Sequence, residues 1–180
     1  MTLIQLLEKN NHHNGATVFV GCSNFDAADV IYTYMQSGTL AKRDVHFFLH
    51  SNTDKWQRWY DMHISYQNDF GVSSTFNKSK EVRDSFESIN YDIGTLIIED
   101  VNPKKALELF TLLEGKIKTS AIVVLPYLEK SADKFKKVLN DKFSSTELGH
   151  LSNFSYINFT KGKKKLEPSK LIKRSKSILT

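Results

Sequence analysis

The chain has 180 residues, 40% hydrophobic and 12% aromatic, which is one ordinary globular domain able to bury a full core. Its single cysteine, Cys22, excludes an internal disulfide and any cysteine-based zinc site, as a reducing compartment would lead one to expect. The net charge of +5 is uneven: residues 161–180 hold eight Lys or Arg against Glu167, a net of +7, which leaves −2 on the first 160. Met1 to Asn10 shows no secretory pattern and no later run reaches membrane-spanning length, so the expected protein is soluble, cytoplasmic and without a membrane span.

In chain order, Leu3, Ile4, Leu6 and Leu7 are spaced for a short helix, which the turn formers Asn10 to Gly15 end. Thr17 to Val20 is a compact first strand stopped by Gly21. Asp26 to Met35 then places Ala27, Val30, Ile31 and Tyr34 on one helical face. Val45 to Leu49 is the second strand, and a helix after Thr53 puts Trp56, Trp59, Tyr60 and His63 on one side. Gly71 to Phe76 reads as a third strand, followed by a polar helix over Ser79 to Ile89.

Gly94 to Ile98 is the fourth strand, with Glu99 and Asp100 at its carboxyl end and Pro103 in the first turn of a helix that reaches about Ile117. Ala121 to Leu125 is the most apolar strand, expected at the centre of the sheet, and Pro126-Tyr127 ends it. Lys130 to Phe143 is the last helix. Ser145 to Leu151 and Phe154 to Phe159 alternate as two strands joined near Ser152-Asn153, with no helix between them. Strand-helix alternation gives a parallel sheet, the closing pair gives it an antiparallel edge, and ligands of such sheets bind outside the carboxyl ends of the strands.

Several residues have both a chemical and a structural reading. Gly21 opens a turn that Ser23, Asn24 or Asp26 could cap as an ordinary helix start. Glu99 and Asp100 could hold a divalent ion, act as a base, or simply cap a turn. Cys22 would be a nucleophile only beside a base such as His50, and otherwise is a small inert side chain. The six histidines show no ligand spacing, and neither a phosphate-cradling GxxxxGK[ST] loop nor a GxSxG elbow occurs. Trp56, Trp59 and Tyr60 could stack a base, or pack a helix on its sheet.

This order of elements, a leading helix, five strand-helix units and a closing strand pair, resembles class I S-adenosylmethionine-dependent methyltransferases over about Met1 to Lys161. The resemblance implies a three-layer Rossmann-like α/β sandwich over residues 1–160, with a mostly parallel seven-stranded sheet and an antiparallel hairpin strand, and a separate basic tail over 161–180. In that family a glycine-rich turn after the first strand admits the cofactor. The matching segment here is Gly21-Cys22-Ser23-Asn24-Phe25, with Ser23 and Phe25 at or near the other glycine positions. The family's acidic residue at the end of the second strand is replaced by Leu49-His50-Ser51-Asn52, while Glu99-Asp100 match the polar end of the fourth. By that resemblance S-adenosylmethionine is the cofactor, Gly21, Ser23, Asn24, His50, Asn52 and Glu99 bind it, and Asp100 and Tyr127 face the methyl acceptor; some members bind magnesium with further acids after the fifth strand, where Pro126-Tyr127 offers none, so no metal is expected.

Two functions follow. One is a small methyltransferase that works mostly by positioning its acceptor. The alternative is a methyltransferase-like binding or assembly module without catalysis. In either, Lys161 to Lys176 would contact nucleic acid, an acidic protein surface or anionic lipid, or form a solvated terminus with no specific role.

Overall fold

The computed structural model describes residues 2–11, 14–21, 26–52, 56–99, 102–126, 145–151 and 154–160. Seven strands form one sheet, β1 (Ala16–Val20), β2 (Val45–His50), β3 (Ser74–Ser79), β4 (Ile93–Ile98), β5 (Ser120–Pro126), β6 (Ser145–Leu151) and β7 (Phe154–Thr160). Their spatial order is β3-β2-β1-β4-β5-β7-β6. β1 to β5 pair in parallel, and β7 runs antiparallel between β5 and β6. The hairpin therefore folds back so that its second strand, not its first, meets the parallel sheet. The proposed turn Ser152-Asn153 and the helix expected over Lys130 to Phe143 lie outside the described residues.

Strand alternation divides the core into two layers. Val18, Val20, Phe48, Leu96, Ile98, Val123 and Ile157 face α4 (Pro103–Leu113) and a 3-10 helix over Val82–Ser88. Phe19, Phe47, Leu49, Ile97 and Val124 face α1 (Leu3–Lys9), α2 (Asp26–Gln36) and α3 (Trp56–Phe70). The result is the expected three-layer sandwich. Central strands buried on both faces read as continuous apolar runs, as β1 and β5 do. Phe19 and Phe47 stack across β1 and β2 with ring centroids 5.2 Å apart, and burial of each contributes about 1.5–3 kcal/mol.

Local signals set the helix ends. Thr2 and Gln5 form a reciprocal capping box at the start of α1, and Asn102 caps α4 by accepting from the backbone N–H groups of Lys104 and Lys105 ahead of Pro103. Three expectations shift. Gly71, at φ +63°, ends α3 with its N–H on the Gln67 carbonyl, so β3 starts at Ser74 rather than Gly71. Ser79 still belongs to β3, and the segment after it is a seven-residue 3-10 helix, although Val82, Phe86 and Ile89 bury as the spacing predicts. α4 ends at Leu113, and a 3-10 turn over Glu114–Lys116 continues toward Ile117.

The α3 stripe also rotates. Trp59, His63 and Tyr66 are buried, whereas Trp56 and Tyr60 stay 40% and 39% exposed at its margin. The inward face must meet Phe47, which lies 6.0 Å from Trp59 and 6.2 Å from Tyr66, and this turns the other two aromatics toward the edge strand β3.

At the amino ends of β1 and β4 the backbones nearly touch. A Cβ on Gly94 would sit 2.6 Å from the Gly15 nitrogen, and one on Gly15 would sit 2.2 Å from the Gly94 nitrogen. Backbone cannot yield as a flexible side chain does, so Gly94→Ala should cost at least about 2 kcal/mol in urea unfolding. Wild-type stability in that variant would show that the two strands can part there.

Candidate functional site

The carboxyl edge of the sheet collects the residues at the strand ends. Gly21 follows β1 directly, is buried, and takes φ +67°, a left-handed conformation that glycine adopts without a Cβ clash. Its N–H donates to the Phe48 carbonyl at 2.8 Å, while on the other side the Glu99 N–H donates to the Val20 carbonyl at 3.1 Å. Gly21 is therefore flanked by the end of β2 and the end of β4. His50 is the last residue of β2 and half-buried, Asn52 lies exposed in the turn after it, and the Ser51 N–H donates to the Ser79 carbonyl at 2.8 Å. Glu99 is half-buried immediately after β4.

Of the residues singled out in the sequence, Gly21, His50, Asn52 and Glu99 thus share one rim. Ser23, Asn24, Asp100 and Tyr127 lie outside the described residues, as does Cys22. The rim is also where the chain reverses its direction of travel across the sheet: β2 and β3 lie to one side of β1, β4 and β5 to the other. The helices after β1 and after β4, α2 and α4, cover opposite faces of the sheet, and in open sheets of this kind ligands bind at such a reversal. Around the Gly21 backbone these strand ends carry an imidazole, an amide and a carboxylate, groups able to donate or accept hydrogen bonds. Among the described residues no group of three or more His, Cys, Asp or Glu side chains could hold a metal ion, and no helix is long and apolar enough to cross a membrane.

Two other histidines serve packing. His63 is buried on α3 with Nδ1 2.6 Å from Ser74 Oγ. His46 is 3% exposed, places Nδ1 2.9 Å from Thr75 Oγ1, and stacks on Tyr91 at 3.9 Å between centroids. Burial lowers the pKa of both rings, that of His46 to about 4, with Asp44 pulling weakly upward and His63 slightly downward.

Sequence reasoning did not join Phe76 and Lys78 to the α3 aromatics. Phe76 lies 5.5 Å from Tyr60 and 6.4 Å from Trp56, and the Lys78 ammonium stands 4.0 Å above the Trp56 ring. The available signal was period-two spacing, which puts residues 76 and 78 on one face of β3.

No protein-family description and no curated protein sequence matches the chain. Solved structures do. It is similar to M. capricolum TrmK, a structure in complex with S-adenosylhomocysteine, at 11% identity and TM-score 0.51, over 93% of this chain and 73% of that one. An rRNA methylase from Streptococcus thermophilus shares 10% identity at TM-score 0.51, over 91% and 98% of the two chains. The O-methyltransferase TomG from Streptomyces achromogenes, in complex with S-adenosylmethionine, shares 11% identity at TM-score 0.53, over 90% and 82%. At these identities the likeness is one of fold, and the fold is that of class I methyltransferases.

The buried imidazole has a measurable signature. The folded pKa of His46 lies below the ordinary value of 6.5, so the unfolded chain binds more protons between pH 6.5 and about 4. The stabilisation is complete above pH 6.5 and falls as pH drops through that window. Urea midpoints measured from pH 7 to 4 should decline, and His46→Gln should flatten part of the decline. An unchanged slope in that variant would mean that His46 is charged in the folded protein.

Proposed function

We propose that the chain binds S-adenosylmethionine at the carboxyl rim between β1 and β4 and transfers its methyl group to an acceptor nucleophile. One observation carries the reading: Gly21 stands in a left-handed conformation at the strand-order reversal of this fold, with Glu99 on the neighbouring strand end. Two of the similar solved structures hold S-adenosylmethionine or its demethylated product, which supports the same choice of ligand.

When bound, the cofactor supplies an electrophilic methyl group on a sulfonium centre. Gly21 would admit it by lacking a side chain, and Ser23 and Asn24 would line the same turn. The Glu99 carboxylate would accept from hydroxyl or ammonium groups, and His50 and Asn52 would hydrogen-bond from the end of β2. Asp100 and Tyr127 would orient the acceptor, with Asp100 taking the proton that the acceptor loses. Positioning then contributes most of the rate, because a bound acceptor no longer has to find the methyl group by diffusion. Residues 161–180 form a basic tail that we assign to a nucleic-acid partner.

The test is thermal melting with S-adenosylmethionine. At a hundred times its dissociation constant it should stabilise by about 2.7 kcal/mol, roughly 5–10 °C in Tm for a domain of this size. Asn52→Ala and Glu99→Gln should shrink the shift, and Gly21→Val should remove it. No shift in the wild type would dismiss the cofactor. A second reading, a binding or assembly module of the same fold without catalysis, would then stand. It is favoured by His50, which closes β2 where the family has a carboxylate able to accept from both ribose hydroxyls.

The tail has its own test. Deleting residues 161–180 should weaken binding to a nucleic-acid probe by about ten-fold or more at 50 mM salt and flatten the dependence of log affinity on log salt, since each phosphate contact releases a counterion. Equal affinity with and without the tail, measured by fluorescence anisotropy, would remove it from the interaction.

A further inference from the structure

The exposed aromatics of α3 are not part of the rim described above, and the core does not use them fully. Trp56 and Tyr60 are 40% and 39% exposed, and with Leu112 they are the large hydrophobic side chains left open among the described residues. They are held rather than loose. Trp56 and Tyr60 meet edge to face at 6.5 Å, both rest against Phe76 of β3, and Tyr60 also lies 5.7 Å from the ring of His63. His63 is in turn fixed by Ser74. Across this cluster Lys78 places its ammonium 4.0 Å from the centre of the Trp56 ring. Asp61, next to Tyr60 on the helix, accepts from the Gln57 side chain at 3.0 Å.

A rigid π surface and a cation within a few ångströms match the two halves of a nucleotide, a flat base and a phosphate. An apolar protein partner would need more continuous apolar surface than two half-exposed rings. An acidic peptide would engage the lysine and leave the rings without a counterpart. The position is equally specific. Lys78 pairs in register with Leu49 and Ser79 with His50, so the cluster lies at the carboxyl edge of β3, two strands from β1 and about 10 Å from the Gly21 turn at the usual strand spacing. A single strand of a few nucleotides spans that distance.

We infer that Trp56, Tyr60 and Lys78 form a stacking platform for an unpaired base of a single-stranded nucleic acid, whose neighbouring nucleotide reaches the rim at Gly21 and Glu99. The last clause rests on the proposed methyltransferase activity; the platform itself does not. Single strands are selected because only an unpaired, unstacked base offers both faces to a side chain.

The experiment is fluorescence anisotropy of the full chain with a labelled twelve-nucleotide single-stranded RNA and with the same RNA annealed to its complement. Trp56→Ala should weaken single-strand binding about ten-fold and Trp56→Phe should recover most of it, because a phenyl ring still stacks. Lys78→Ala should reduce the salt slope by about one. The duplex should bind without dependence on Trp56. Because Trp56 is half outside the core, the Tm of each variant should stay near wild type and serve as the folding control. Wild-type affinity in Trp56→Ala, or the same loss for duplex as for single strand, would overturn the platform. Melting shifts with S-adenosylmethionine are read on the same samples. Trp56-dependent binding without such a shift keeps the platform and removes the methyltransferase reading, whereas a shift without Trp56 dependence removes the platform alone.

Discussion

The handedness of parallel crossovers is the constraint on which this molecule depends. A strand, a connection and a parallel strand in one sheet wind to the right, so the direction in which the chain steps across the sheet decides which face its helix covers. From β1 to β3 the chain steps one way, and α2 and α3 fall on the face of Phe19 and Phe47. From β4 to β5 it steps the other way, and α4 falls on the face of Val18 and Val20. The 3-10 helix after β3 carries the chain from one side to the other. At the junction of β1 and β4 the covering helices change faces, so the reversal at the carboxyl ends is a geometric consequence of the strand order rather than a feature added to the fold.

The opposite edge of the sheet is closed by polar ties. Asn10, at the end of α1, accepts from the Asn158 amide at 2.7 Å, joining the first helix to β7. The Asp92 carboxylate accepts from the Lys118 N–H and the Thr119 hydroxyl, Asp44 accepts from the Ser73 N–H, and Arg43 donates to the Asn11 carbonyl. These side chains join segments distant in sequence at the amino ends of the strands. Fixing that edge fixes the register, and with it the alignment of Gly21, His50 and Glu99 at the far end. The Gly15 and Gly94 contact acts in the same direction, since it holds β1 and β4 closer than side chains would allow.

Much of this was legible because buried strands announce themselves. β1, β2, β4 and β5 are runs of β-branched and aromatic residues bounded by turn formers, and their ends define the rim without any knowledge of packing. The hairpin was legible for the same reason, and its lack of an intervening helix pointed to the fold. β3 was legible as a strand but not in its bounds: it is a polar edge strand, and Gly71 before it serves as the end of a helix as readily as the start of a strand. The 3-10 helix eluded periodicity because Val82, Phe86 and Ile89 repeat at spacings that an α-helix also satisfies. Period two sets Phe76 and Lys78 on one face of β3, but their meeting with Trp56 depends on how α3 lies against an edge strand, a relation between distant segments that no local pattern encodes.

β3 also shows how one set of residues can answer two demands. An edge strand exposes unpaired backbone groups and invites pairing with another chain, and charged side chains on a short strand discourage it. Asn77, Lys78 and Ser79 close β3 with polar groups and Lys80 follows, so the edge is poor in the apolar surface that strand pairing would bury. Trp56 and Tyr60 lie over this strand on the α3 side and retain part of their surface in water, which costs stability unless the surface is used. On the stacking reading, an edge that rejects protein strands through its lysine, with half-exposed rings beside that same cation, would favour a flat anionic partner over a protein one. The charge that protects the fold is therefore the charge that would select its ligand.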